Sequence, residues 1–412
     1  MPTSVRYKET LARAAAWMEL RRKLFWVSVL YFAEGFPFGI AVDNLPVYFR
    51  VHGVSLVDIG LLSLLGLPWT LKVLWSPLVD RFGERRHWIT AALLSMAMLL
   101  AVLPLLDPSR PTFWLWALLL ALTTASATQD VAIDAYTIGL LAPGEEGVAN
   151  GVRVSAYRVA LILGGGGLVI LAGTLGWRVV FWLAAATCVA LAAAAWRSPR
   201  PTFQGESSEG SWFAPLLAWL QRPGAPLIFL FVLTYKLGDS SMGPMVKPFW
   251  VDRGLTVEEI GLVSTTFGVL ASIAGALAGG MLTTRWGIFR GLWALGLLQA
   301  CSNLGYAAVA YLDAGRLGIY GASLLESFTG GLGTAAFLAF LMHICDKRQA
   351  ATEYALLSAI FGFTRSLAGG VSGWGAARLG YGNYFTLTFL LALPAFSLLP
   401  WAKAWIHEEV SH

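Results

Sequence analysis

Twelve runs of apolar residues decide what this chain can fold into. They fall at 24–49, 57–79, 88–106, 112–141, 147–175 and 177–196, then at 225–251, 257–284, 288–312, 316–345, 351–378 and 383–405. A helix of about 20 residues crosses the roughly 30 Å hydrocarbon core of a bilayer. Inside lipid every backbone polar group must be satisfied internally, which leaves helices or closed barrels. The runs are continuous and rich in Ala, Leu and Gly rather than alternating, which argues against a barrel. Only 13% of the 412 residues are charged, against about 25% in a soluble domain. The expectation is an all-α membrane protein embedded in a lipid bilayer.

The stretch 197–224 is the one long polar interruption, and it divides the runs six and six. The expected organisation is an N-terminal segment 1–23, a six-helix half 24–196, a linker 197–224, a second half 225–405 and a tail 406–412. The first run is too long for the apolar region of a cleaved signal, so none is expected. Of the 29 Lys and Arg, seventeen lie in segments on the side of the N-terminus, six lie on the opposite side and six lie within runs. The positive-inside rule then places both termini in the cytoplasm. The same distribution accounts for the net charge of +5 as loop chemistry, so no nucleic-acid partner is expected. Cys188, Cys301 and Cys345 lie in apolar runs and are odd in number, which fits core residues better than a disulfide framework or metal site.

The halves echo each other. Val54 to Ser63 parallels Leu255 to Ser264, each after a glycine (Gly53, Gly254). Arg81-Phe82-Gly83 and Arg285-Trp286-Gly287 close the second run of each half, and Arg158 and Arg365 each lead into glycine clusters. Two six-span halves with a long central loop resemble the major facilitator arrangement, whose site lies between the halves at mid-membrane. The segment Gly60 through Leu67-Pro68-Trp69-Thr70-Leu71-Lys72 to Asp80-Arg81-Phe82-Gly83 resembles the second span of the AmpG-like permeases. So does Ala127-Thr128-Gln129-Asp130-Val131-Ala132-Ile133-Asp134-Ala135 in the fourth, with Glu145-Glu146-Gly147, Asn150-Gly151 and Tyr157-Arg158 continuing the match. That group comprises muropeptide permeases, acetyl-CoA transporters and rhizobactin/pyochelin-type siderophore permeases, and Asp43 to Arg50 looks closer to the siderophore branch. The resemblance implies a major facilitator fold of 12 transmembrane helices, a bacterial inner membrane, a small-molecule substrate, a monomer and no cofactor.

An ionisable residue in the bilayer core is costly and marks a functional site by default. Six acids (Glu34, Asp43, Asp130, Asp134, Asp239, Glu326) face six bases (Lys72, Arg153, Arg158, Lys236, Lys247, Arg365). Asp43 and Lys247 lie nearest the outer surface by sequence position. Asp130 and Asp134 share a helical face. Two close carboxylates in a poorly hydrated site cannot both ionise cheaply, which suits one to exchange a proton; alternatively each is tied to an arginine and locks helices. Glu34 sits where Gly and Pro interrupt the first run, a break tolerated beside a cavity. These three are the proton-coupling candidates. Arg153 shares a face with Asn150 and Tyr157, whereas Arg158 lies about 140° further round; either arginine suits a substrate carboxylate or phosphate, or pairs with Asp130 or Asp134. Lys72, flanked by Trp69 and Trp75, with Tyr157, Lys236, Asp239, Glu326 and Arg365, completes the substrate-binding set. Lys236–Asp239 also reads as a local ion pair, and Trp250 as a further cavity-lining ring.

Asp80, Arg81, Gly83, Arg85 and Arg86 resemble the major facilitator gating loop, although a plain positive-inside loop also explains the arginines. Gly275 and Gly279 have the spacing that lets transmembrane helices approach closely. The tail His407 to His412 misses zinc-protease spacing, Gly238 to Gly243 misses a nucleophile elbow, and no Walker lysine motif appears. The expectation is therefore a secondary active transporter, with proton-coupled import of a siderophore or muropeptide by alternating access. An acyl-CoA-type transporter is the alternative within the fold, and a membrane-embedded transferase the alternative outside it.

Overall fold

The computed structural model describes residues 3–141, 145–200, 221, 224–344 and 350–407. Most of the expected linker, the end of the tail, Cys345 and the side chains of Asp80, Arg81 and Asn150 lie outside what it describes. We label the helices α1 (Trp17–Val51), α2 (56–81), α3 (Arg85–Leu105), α4 (Phe113–Leu140), α5 (146–175), α6 (Trp177–Trp196), α7 (225–252), α8 (Val257–Trp286), α9 (Ile288–Leu312), α10 (Arg316–Leu341), α11 (350–379) and α12 (381–407). Among the described residues, nine unbroken segments are long and apolar enough to cross a membrane. The difference from the expected twelve falls at three places. One segment turns at Gly380, which joins α11 to α12. The other two, α2 and α7, are interrupted near Lys72–Trp75 and at Lys236.

Side chains such as Leu277, Met281, Leu312 and Leu317 are exposed on the outer face of the helices, a surface that lipid tolerates and water does not. The repeat reaches the backbone. Gly53 and Gly254, Gly83 and Gly287, and Gly176 and Gly380 are equivalent turns in the two halves, and all six have positive φ between 72° and 83°. A left-handed residue ends a helix abruptly and is cheap only for glycine, so each half makes the same three sharp turns. Within a half, α1 packs on α5, α3 on α4 and α6, and α10 on α8 and α9. The Gly275 and Gly279 pair behaves as its spacing implies: α8 approaches the α10 backbone at Phe328 and Leu332 so closely that no Cβ would fit.

The halves meet along two seams, α2 against α11 and α5 against α8. Both are made of backbone on backbone. A Cβ on Gly60 would lie 2.7 Å from the Gly373 nitrogen, and one on Gly261 would lie 2.7 Å from the Gly166 carbonyl oxygen. Widened π-type turns occur at 40–44 in α1, 162–167 in α5 and 260–267 in α8, the last two in contact with each other. Such turns insert one extra residue per turn and recur at functional positions. Here they lie at and beside the α5–α8 seam.

Candidate functional site

One end of the molecule is bolted shut between the halves. Arg50 donates from Nε and an Nη to the two carboxylate oxygens of Asp252, at 2.6 and 2.5 Å, and Tyr381 Oη donates to the same carboxylate at 2.7 Å. Lys247 and Asp43 form a second ion pair between α7 and α1. Both side chains are largely buried within the protein and line the closed end of a central cavity. From this closed end the cavity, about 1480 Å³, extends between the halves to Leu74 and Ala359. That volume exceeds the roughly 300–1,000 Å³ of ordinary ligand pockets.

Its first-half wall is a cluster of charge. Lys72, placed at the tight turn that interrupts α2, pairs with Asp130 of α4. One turn along α4, Asp134 accepts a hydrogen bond from Tyr31 Oη at 2.7 Å and lies 3.4 Å from an Arg153 Nη. The Arg153 guanidinium stacks over the Tyr31 ring, 4.6 Å from its centre, a cation–π contact that holds both groups toward Asp134. Arg153 is therefore the arginine that pairs with the fourth-span carboxylates, and Arg158 is not. Glu34 is not among the lining residues. It stands behind the wall beside Asp130, with one carboxylate oxygen buried and without a hydrogen-bond partner among the described residues. Asp130 and Tyr157 are likewise one layer back, whereas Trp69, Lys72, Asp134, Arg153 and Arg158 face the cavity. The Trp69 ring meets Phe38 edge-on, with ring centres 5.1 Å apart.

The second-half wall is hydrogen-bonded differently. Lys236 occupies the break in α7 and donates to Gln299 Oε1 at 2.6 Å, Thr334 Oγ1 at 2.9 Å and Asp239 Oδ2 at 3.3 Å. It thus makes the local pair with Asp239 and reaches two further helices. Glu326 and Arg365 also line the cavity. Trp250 does not: it is fully buried and donates its indole N–H to Tyr306 at 3.2 Å. Gln299 and Thr334 were not singled out by sequence, because uncharged polar residues in a span give no cost signal of their own.

At the opposite end, Gly83 makes its left-handed turn and Arg85 opens α3. Glu84 bridges Arg86 at 2.6 Å and Arg200 at 3.2 Å, tying the start of α3 to the segment after α6. Desolvation pushes the Glu84 carboxyl up, but the Arg86 hydrogen bond and the charges of Arg200, Arg86 and His87 more than offset it and hold it below the usual carboxylate range. Among the described side chains the acidic member of this network is Glu84; Asp80 and Arg81 of the expected loop lie outside them.

Residues 67–236 match the Major Facilitator Superfamily model, and residues 23–108 match the model described as Acetyl-coenzyme A transporter 1. The chain is 35% identical over 381 residues to the anhydromuropeptide permease of Escherichia coli (strain K12), covering 90% of this chain and 78% of that one. It is 27% identical over 395 residues to the putative transporter AmpG 4 of Rickettsia conorii, covering 92% and 95%. In fold it is similar to the crystal structure of a bacterial homologue of the human lysosomal transporter Spinster, described as inward-facing and unoccupied, with a TM-score of 0.77 at 15% identity, covering 95% and 98%.

Proposed function

The chain belongs to the AmpG-like permeases of the major facilitator superfamily, and on that premise we propose that it imports a muropeptide-like sugar peptide together with protons, by alternating access. One observation carries the proposal: Glu34, Asp130 and Asp134 form a continuous cluster at and just behind the cavity wall, with two cations among the described residues, Lys72 and Arg153, directly against them. Three carboxyls against two cations leave one carboxyl whose proton can come and go as the cluster is exposed to either side. Charge balance is costly to violate in a bilayer, so the proton must travel with the conformational change. Positive-inside counting puts the bolted end outside and the terminal end in the cytoplasm, so the structure is the inward-facing member of the cycle. The 35% identity to a muropeptide permease over 90% of this chain favours the sugar peptide over the siderophore expected from residues 43–50.

The test is uptake of an anhydromuropeptide into proteoliposomes under an imposed inward proton gradient. Asp134→Asn and Glu34→Gln should abolish accumulation while leaving exchange of internal for external substrate, which needs no net proton movement. Intact gradient-driven accumulation in both variants would refute the coupling assignment. The match of residues 23–108 to the acetyl-coenzyme A transporter model supports a second reading, a CoA thioester as cargo, so acetyl-CoA belongs in the same assay. A membrane-embedded transferase would consume substrate without accumulating it.

A further inference from the structure

We infer that Arg158 and Arg365 form a two-sided clamp for an oxyanion of the substrate. Four of the six intramembrane cations have their acid within ion-pair distance: Lys72 has Asp130, Arg153 has Asp134, Lys236 has Asp239 and Lys247 has Asp43. Arg158 and Arg365 have none among the described residues, yet both line the cavity. They come from opposite halves, α5 and α11, and the charges of both reach the phenol of the same residue, Tyr157, just behind the cavity wall. A guanidinium in the bilayer core without a counter-charge is expensive. Two of them converging on a cavity are explained if the missing counter-charge arrives with the cargo. Their planar forks suit the paired oxygens of a carboxylate or phosphate, where a lysine would offer a single point charge.

The consequence is mechanical as well as chemical. An anion held by one guanidinium from each half makes its full set of contacts only when α5 and α11 are correctly spaced, so binding selects among conformations. This inference rests on the transport reading above but names a feature of the substrate that the reading leaves open: it must carry an oxyanion.

The test measures binding to the purified full chain, using an anhydromuropeptide with free carboxylates, the same compound with its carboxylates amidated, and coenzyme A. Amidation should weaken binding to the parent at least about tenfold, the value of one charge-assisted hydrogen bond, and should make no difference in Arg158→Gln or Arg365→Gln. Arg→Lys at either position should recover part of the loss. The unliganded Gln variants should melt no lower than the parent, because no ion pair is broken, whereas Arg153→Gln should melt lower. A lower melting temperature in the two Gln variants assigns the arginines a structural role and overturns the clamp. Equal binding of free and amidated compounds by the parent overturns it too, while leaving sugar-peptide transport intact. Arginine-dependent binding of coenzyme A alone sustains the clamp through phosphate and refutes the sugar-peptide reading. Absence of binding by all three compounds overturns both.

Discussion

The glycine seams make a sharp prediction about which side of the protein opens. An alanine at position 60 would place its methyl 2.7 Å from the Gly373 nitrogen and 3.1 Å from its Cα, and an alanine at 261 would sit 2.7 Å from the Gly166 oxygen and 2.9 Å from the Ile170 nitrogen. All four neighbours are backbone atoms, so no rotamer change relieves the overlap. Overpacking of this kind costs about 1–3 kcal/mol, and it is incurred only while the seam is closed. At about 1.4 kcal/mol per tenfold, each substitution should raise the population with the bolted end open by roughly 5- to 150-fold. The readout is the rate at which a membrane-impermeant thiol reagent, applied from outside, modifies Ala41→Cys, a cavity-lining position, in a background with the three native cysteines removed. Gly280→Ala is the control, since a Cβ there meets nothing within 4 Å; its rate should match the parent. If Gly60→Ala and Gly261→Ala both label within twofold of that control, backbone contact does not set closure and the reasoning fails.

Asp252→Asn should act in the same direction but more weakly, because the Arg50 and Asp252 side chains are 21% and 25% exposed and partly exposed ion pairs are worth about 1 kcal/mol or less; the same labelling rate should rise less than about tenfold. Lys72→Met strands the Asp130 carboxylate, which for a buried pair costs about 3–5 kcal/mol, discounted toward the lower end because Lys72 is 30% exposed. Its melting temperature should fall, and adding Asp130→Asn should restore most of the loss. Glu84 is held below the ordinary carboxylate range, so its contribution is complete above the unfolded value of about 4.3 and fades as pH drops through the lower folded one. Glu84→Gln should therefore remove part of the loss of melting temperature that acid causes below that pH, and a parent-like acid profile would contradict the Arg86 and Arg200 bridge.

Much of this architecture is legible in the sequence because lipid imposes simple rules. Apolar runs locate the spans to within a few residues, and the cost of intramembrane charge draws the eye to the residues that line or back the cavity. What eluded sequence reading depends on distance across the chain. Asp43 and Lys247 are some two hundred positions apart, and only the fold shows that they join the halves. The choice between Arg153 and Arg158 as partner of Asp134 turned on the Tyr31 ring beneath one of them. The equivalence of Gly176 and Gly380 rests on a match of only three positions, Leu-Gly-aromatic in each half, and it is the shared positive φ that shows the turn to be the same. Trp250 was misplaced because an aromatic in a span looks alike whether it faces a cavity or another helix.

The two seams carry one further implication. The repeat superimposes α2 on α8 and α5 on α11, so the α2–α11 seam is the image of the α8–α5 seam. Each contact therefore occurs twice, as in an isologous dimer in which a patch meets its own copy. The junction has the logic of a two-subunit assembly whose subunits have become covalently joined. A lesion in one seam leaves its twin intact.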